Sequence, residues 1–380
     1  AYVSALAALS FEPGDLISLP GSSVVWKVSR VDLDGQPRLS LLRAYVPPPA
    51  ATLAATPSFV AEPAANPVQA PLFQLLDLPP LIGFEDDARP LACVAAQPFA
   101  GADVWAGPSL DALSLRAELA ASCPIGETLS PLAAGPLWRL DLGNRLTVTV
   151  EGTSLASCSP VALSAGANAA AVQTPAGAWE VLQYQSAVLT APGTYLLSGL
   201  LRGQQGSEAD MAALIPAGAA FVPLSDALAR LNVTASECTL PLIWRAVPHG
   251  AAPGGAQASE RDQAWMGIAY RPFAPVHLAA QRQMNGDLML SWVRRTRVGG
   301  DSWEGVEVPL GEEREAYLVT IFNAGVAVRS YQTTTPGLAY PAADQGSDFP
   351  AGTPRPLSVS VAQLSAVFGW GAAARASLLY

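Results

Sequence analysis

Apolar and polar side chains alternate in short runs along most of this chain, and Gly, Pro, Asn or Asp bounds each run. The clearest runs are residues 24–31, 146–150, 181–184, 288–292, 317–321 and 357–361. Alternation puts every second side chain on one face of an extended backbone, so these runs predict strands. Helical periodicity is weak. Its best instances are residues 109–121 and 225–231, the second opening on a Ser225-Asp226 cap. Pro and Gly together supply 66 of 380 residues, 34 and 32 respectively, which suits a chain of many turns. The expected fold class is mainly β.

Residues 272–380 carry the most regular pattern. Seven strands are expected there, over 276–279, 287–292, 315–321, 326–329, 337–340, 357–363 and 374–379. Leu288, Leu290 and Trp292 share one face, as do Tyr317, Val319 and Ile321. Seven short strands in about a hundred residues are what a two-sheet sandwich needs. The opening Pro272, the Trp292 strand, the Tyr317-x-Val319-x-Ile321 strand and the Gly369-Trp370-Gly371 turn resemble a fibronectin type III module.

Three breaks divide the rest. Residues 47–71 are rich in Pro and Ala and read as an extended linker or arm. Residues 249–271 open on a Gly/Ala/Pro segment and read as a second linker, and a softer break lies near Gly152, inside a central β-rich region of residues 72–248. Residues 1–46 are too short for a domain. Phe11-Glu12-Pro13-Gly14-Asp15-Leu16-Ile17 places a turn before a strand, and Val25, Trp26 and Val28 can face Leu39, Leu41 and Leu42. A lone hairpin is marginal in water, so this segment is expected to complete a sheet begun elsewhere.

Composition narrows the function classes. A net charge of −10 and a pI near 4.7 argue against nucleic acid as a partner. The mean hydropathy of +0.28 owes much to alanine, and no run reaches the ~18 apolar residues of a spanning helix. Residues 212–224, the longest apolar stretch, are interrupted by Pro216 and Pro223. Abundant Ala, Arg and Pro with Lys27 as the one lysine fits a GC-rich bacterial genome. The chain begins at Ala1 with neither Met nor a basic leader, so it is expected to be a piece of a longer one.

Candidate chemistry is sparse. Cys93, Cys123, Cys158 and Cys238 form no C-x-x-C pair and read as free or buried thiols, with no disulfide assignable from spacing. A Ser/His/Asp triad would need His249 or His277; one lies in a Gly/Pro segment and the other in an expected strand. Glu85-Asp86-Asp87 is the sharpest acidic cluster and reads as a solvated turn rather than a cation site. Residues 199–208, Gly-Leu-Leu-Arg-Gly-Gln-Gln-Gly-Ser-Glu, lack the Lys and glycine spacing of a phosphate loop and read as a strand entering a tight turn. Arg294, Arg295 and Arg297 form either a basic contact patch or a loop neutralised by Glu304, Glu307, Glu312 and Glu313; their closeness favours the loop. No catalytic, cofactor-binding or metal residue is assigned, no cofactor is expected, and the chain is not expected to be an enzyme.

Several strings together resemble one family. They are Pro13-Gly14-Asp15, Leu76-Asp77-Leu78-Pro79, Ala165-Gly166-Ala167-Asn168, Glu180-Val181-Leu182-Gln183-Tyr184 and Gly199-Leu200-Leu201-Arg202-Gly203-Gln204. Trp292-Val293-Arg294-Arg295-Thr296-Arg297, Val308-Pro309-Leu310-Gly311-Glu312-Glu313 and Val361-Ala362-Gln363-Leu364-Ser365 follow in order. The chain thereby resembles the C-terminal part of the large tail-tip, host-specificity (megatron) proteins of gene transfer agents and related siphophages. Ser207 stands where that family pattern leads one to expect Thr. The resemblance implies a structural subunit of a phage-like tail tip, released in a virion-like particle after assembly in the bacterial cytoplasm. It implies a homotrimer closing the tail tube, contacts with other baseplate-hub and distal-tail proteins, and a host surface receptor. Residues 1–46 would then end a baseplate-hub β-domain. The competing expectation is a secreted carbohydrate-binding or carbohydrate-active sandwich protein, with Trp26, Trp138, Trp179, Trp265, Trp303 and Trp370 as candidate sugar platforms.

Overall fold

The computed structural model describes residues 4, 10–34, 36–44, 69–300 and 308–380. The arm expected over 47–71 therefore lies outside the described residues except for its last three, and Trp303 lies outside them entirely. The chain divides into two compact units, residues 1–66 and 67–380.

In the first unit, β1 (Leu16–Ser18), β2 (Val25–Asp32) and β3 (Arg38–Arg43) form one antiparallel sheet in that order. The hairpin expected from the sequence is present, with Val28 opposite Leu41 and Val31 opposite Leu39. Among its described residues only Val28 and Leu39 are buried.

The second unit begins with β4 (Leu72–Leu76), β5 (Leu91–Ala95), β6 (Ala102–Gly107) and β7 (Ser114–Leu119). Next come β8 (Gly126–Thr128), β9 (Leu132–Ala133), β10 (Asp141–Val150), the short helix α1 (Pro160–Ser164), β11 (Ala169–Gln173) and β12 (Trp179–Ala191). β13 (Thr194–Leu201), β14 (Leu214–Ile215) and β15 (Ala220–Pro223) complete that stretch, and β16 (Ala229–Arg230), β17 (Pro241–Pro248) and β18 (Ser259–Ala264) follow. The pairing is not sequential. β16-β5-β4 form one sheet and β18-β17-β6-β7 another. Phe73, Leu75, Val94, Val104, Trp244 and Trp265 from both sheets share one core. Between β7 and β16 the chain leaves this sandwich and builds a closed barrel, ordered β10-β13-β12-β11-β15-β8. The barrel is an insertion in the sandwich.

Period two explains the barrel's filling. Leu146, Val148 and Val150 on β10, Ala170 and Val172 on β11, and Leu182 and Tyr184 on β12 point inward and pack together. The opposite faces of β11, β12 and β15 are buried as well. Ala171 lies level with Val181 on one side and Val222 on the other. This outer row packs with Leu76, Leu78, Leu91 and Cys93 of the sandwich. The indole N–H of Trp179 donates to the Leu75 carbonyl at 3.2 Å across the same seam. Strands covered on both faces read as continuous apolar runs, which accounts for Ala169-Ala170-Ala171-Val172.

The last stretch holds β19 (Val276–Arg282), β20 (Leu288–Val293), β21 (Tyr317–Asn323), β22 (Val326–Thr333), β23 (Gly337–Tyr340), α2 (Ala342–Asp348), β24 (Leu357–Ser365), β25 (Gly369–Trp370) and β26 (Ala374–Leu378). β19-β20-β23 face β22-β21-β24, with β26 paired to β24. The seven expected strands are all present, in the two-sheet order of a fibronectin type III-like sandwich. Leu288, Leu290 and Trp292 meet Tyr317, Val319 and Ile321 in its core. The Trp292 and Tyr317 rings pack edge to face, 5.2 Å between centroids.

Several expectations need correction. Residues 109–121 form a single 3-10 turn, Leu110–Ala112, and then β7; residues 225–231 form a turn and β16. Edge pairing with β6 and β5 outweighs the weak helical periodicity of these segments. The softer break near Gly152 falls inside the barrel, because β10 before it and β11 after it belong to one closed sheet. The 249–271 segment is not only a linker: it contains β18, the sandwich edge strand paired with β17. Cys93 and Cys123 are joined by a disulfide, 5.4 Å between Cα atoms, while Cys158 and Cys238 are free. The bridge lies where the chain passes from sandwich to barrel, a proximity that sequence spacing does not encode.

Trp292→Ala in the full chain is expected to cost about 3–5 kcal/mol, the usual penalty for emptying a buried indole site. Because the lost packing is confined to the terminal sandwich, hydrogen exchange should rise across β19–β26 and not in the barrel. Equal exchange in both would place this indole outside the core described here.

Candidate functional site

The titratable candidates come to rest apart from one another. His249 Nδ1 lies 2.7 Å from Asp103 Oδ1, and this hydrogen bond raises the imidazole pKa above its ordinary value. His277 sits on β19 with a left-handed φ of 55° and is exposed. Among the described residues no group of three or more His, Cys, Asp or Glu is placed to hold a metal ion. In the acidic turn, Glu85 Oε1 accepts the Gly83 N–H at 2.8 Å. Asp87 accepts two hydrogen bonds from the Arg89 guanidinium, at 2.9 and 2.7 Å, and pairs with Arg230 at 3.1 Å. The Arg89 guanidinium holds the Asp87 carboxyl below the usual range.

The basic loop divides between local pairing and one reach to the barrel. Arg297 pairs with Glu312 at 2.9 Å, the local neutralisation expected from sequence. Arg294 donates to the carbonyls of Val308 and Pro309. Arg295 instead reaches across to Glu208 of the barrel turn. Its guanidinium lies between two rings, 4.6 Å from the centroid of Trp138 and 4.9 Å from that of Phe273. Beside it Arg271 grips Asp210 with both terminal nitrogens. Phe273 rests on Gly206, where an added Cβ would come within 2.2 Å of the ring.

That barrel turn, residues 203–210, is itself anchored from below. Glu180 lies level with Val172 and so faces the barrel interior. Its carboxylate accepts from Arg202 Nε at 2.6 Å and Nη2 at 2.8 Å, with both side chains wholly buried. Arg202 Nη1 donates to the Ala133 carbonyl at 2.7 Å and lies 3.7 Å from Asp141. Glu180 Oε1 also accepts the Gly203 N–H at 3.2 Å. Ser207 ties the far side of the turn down: its hydroxyl accepts the Val181 N–H at 2.9 Å and donates to the Gln204 carbonyl at 2.7 Å. A threonine hydroxyl could make the same two bonds, but its extra methyl group would enter a wholly buried site.

The turn also borders a cleft of about 610 Å³ between barrel and sandwich. Leu81, Ile82 and Phe84 of the acidic turn line one side, with Leu224 and Leu228. Gln183, Gln204, Gln205, Ser225, Asp226, Asp87, Arg89 and Arg230 supply its polar groups. Phe84 is 58% exposed, and Arg230 lies over its ring at 5.1 Å.

The candidate tryptophans divide by environment. Trp179 and Trp265 are buried, Trp26 and Trp370 are half-buried, and Trp138 is exposed but engaged by Arg295. Sequence reasoning passed over Asp77, Glu180, Gln183, Glu208 and Asp210. Asp77 is buried and accepts the Met266 and Ile268 N–H groups at 2.7 and 2.9 Å, holding the chain that enters the terminal sandwich. A readable signal existed: Asp77, Glu180 and Gln183 are polar residues within apolar strings.

Residues 123–222 match the family model described as Rcc01698-like, C-terminal. That span is the inserted barrel, and the remainder of the chain lies outside the match. No curated protein matches the chain in sequence. Among solved structures, the FN1–FN3 domains of chicken CNTN1 cover 82% of this chain and 99% of their own length, at 8% identity and a TM-score of 0.20. So low a score carries no argument about fold or function.

Arg295→Ala leaves Glu208, a carboxylate only 9% exposed, without its partner. Stranding a buried charge costs on the order of 3 kcal/mol, so the melting temperature should fall and hydrogen exchange should rise over residues 203–210. Adding Glu208→Ala should restore part of the loss; a strictly additive pair would refute the clamp.

Burial pushes Asp77 up to about 6 from 3.8, against the hydrogen bonds of Ile268 and Met266. The folded chain therefore keeps this proton to higher pH than the unfolded chain. The resulting stability is fully present below 3.8 and is lost as pH rises through about 6. It amounts to on the order of 2–3 kcal/mol. Urea titrations at intervals from pH 4 to 7 should show that decline, and Asp77→Asn should flatten it.

Proposed function

We propose that this chain is a structural part of a phage-like tail tip that works by assembly and contact rather than by turnover. The match of residues 123–222 to the Rcc01698-like C-terminal model carries this reading, because it falls on the domain around which the second unit is built. The ordered strings resembling gene transfer agent tail-tip proteins support it over more of the chain. In this reading the barrel and its host sandwich form the rigid base, and the clamp of Arg271, Arg295, Asp210 and Glu208 holds the terminal sandwich out as a contact module. Three copies close the tube on the tail axis, residues 1–46 end a hub β-domain, and the module meets an envelope receptor. The particle, assembled in the cytoplasm, carries the chain at its tail tip.

A particle density map tests the proposal. Three copies on the tail axis are expected, with the terminal sandwich distal; a single copy, or density off the axis, would overturn it. Particles lacking residues 272–380 should assemble tails of normal length and attach poorly to cells. Normal attachment would remove the contact role.

A further inference from the structure

The cleft between barrel and sandwich has more definition than a scaffold needs. Its volume of about 610 Å³ lies within the range of small-molecule sites, which favour domain seams. Its charges cancel: Asp87 and Asp226 are matched in number by Arg89 and Arg230. Its hydrogen-bonding groups are held in place. Gln183 Nε2 donates to the Leu163 and Ala167 carbonyls, both at 2.8 Å, and Gln204 Nε2 donates to the Arg202 carbonyl at 3.0 Å. These bonds fix both amides and leave each Oε1 without a hydrogen-bond partner among the described residues. The side chains of Ser225, Asp226 and Gln205 likewise have no such partner there.

Gln205 adds an independent observation. It is not glycine, yet it holds φ 57° and ψ 28° beside Gly203 and Gly206, which are also left-handed. Such backbone strain in a non-glycine residue persists where surrounding structure imposes it, and it gathers at ligand sites. Across the cleft, Phe84 and Ile82 are 58% and 52% exposed. A ligand suited to this lining brings many hydroxyl donors, no net charge and an apolar face for the Phe84 ring.

We propose that this cleft is a binding site for an uncharged saccharide. The ring hydroxyls donate to the fixed oxygens of Gln183 and Gln204 and to Asp226, the Gln205 amide donates back, and the C–H face of the sugar lies against Phe84. The proposal stands on the cleft's own geometry and does not require the tail-tip reading.

Saturation-transfer NMR on the full chain tests it, with neutral tetrasaccharides of glucose, galactose, rhamnose and N-acetylglucosamine as probes and oligogalacturonate as the acidic counterpart. At least one neutral probe should bind, more strongly than the uronate. Phe84→Ala and Gln205→Gly should each weaken that binding roughly tenfold or more. Glycine accepts the left-handed backbone at residue 205, so the second variant should melt no lower than the parent and serves even if the first folds poorly. No transfer from any neutral probe, stronger uronate binding, or unchanged binding in Gln205→Gly would each overturn the proposal. None of these outcomes bears on the threefold map that tests the tail-tip reading.

Discussion

The buried pair of Glu180 and Arg202 is the interaction on which most of the second unit's architecture turns. A carboxylate and a guanidinium with no exposed surface are stable there only because every strong contact is made: two charge-assisted bonds between them, a carbonyl for the third guanidinium nitrogen and a backbone N–H for the carboxylate. Removing one partner from such a pair typically costs about 3–5 kcal/mol. Close packing enforces the arrangement, since a Cβ at Gly135 would lie 2.3 Å from Asp141 and 2.9 Å from Arg202. The pair therefore sets where β13 ends and where the following turn begins.

That turn has three neighbours at once. Ser207 fastens it to β12, Gln204 and Gln205 border the cleft, Glu208 receives Arg295 from the terminal sandwich and Asp210 receives Arg271 from the segment that enters it. These contacts fix the direction in which the terminal sandwich leaves the barrel. Two arginine–carboxylate pairs, one flanked by aromatic rings, hold direction better than an apolar patch, which tolerates sliding. The same turn links the orientation of the terminal sandwich to the shape of the cleft through eight consecutive residues.

Insertion of the barrel into the sandwich explains the seam. Three barrel strands bury both faces, so the apolar row Ala171, Val181 and Val222 is a barrel exterior and a domain interface together. The Cys93–Cys123 bridge and the Trp179 hydrogen bond cross at the same place. A barrel so joined is not a bead on a string, and the family match confined to residues 123–222 corresponds to a structural unit with definite edges.

Local pattern alone determined the class and the strands of the terminal sandwich, but it misread β7 and β16 as helix. Alternation reads directly as strand faces, so the seven strands of residues 272–380 and the shared face of Leu288, Leu290 and Trp292 were legible in order. The local pairing of Arg297 with Glu312 was legible too, because opposite charges stood close in the chain. Tertiary structure decided whatever joins distant segments. The disulfide spans 30 residues, and Arg295 finds Glu208 at a separation of 87. The cleft draws on residues from Leu81 to Arg230. Barrel closure makes Glu180 interior and Ala171 an interface residue, although both lie in similar apolar strings. Periodicity reports which face a side chain takes, but not what covers that face, and the covering of the faces is what distinguishes core, seam, clamp and cleft here.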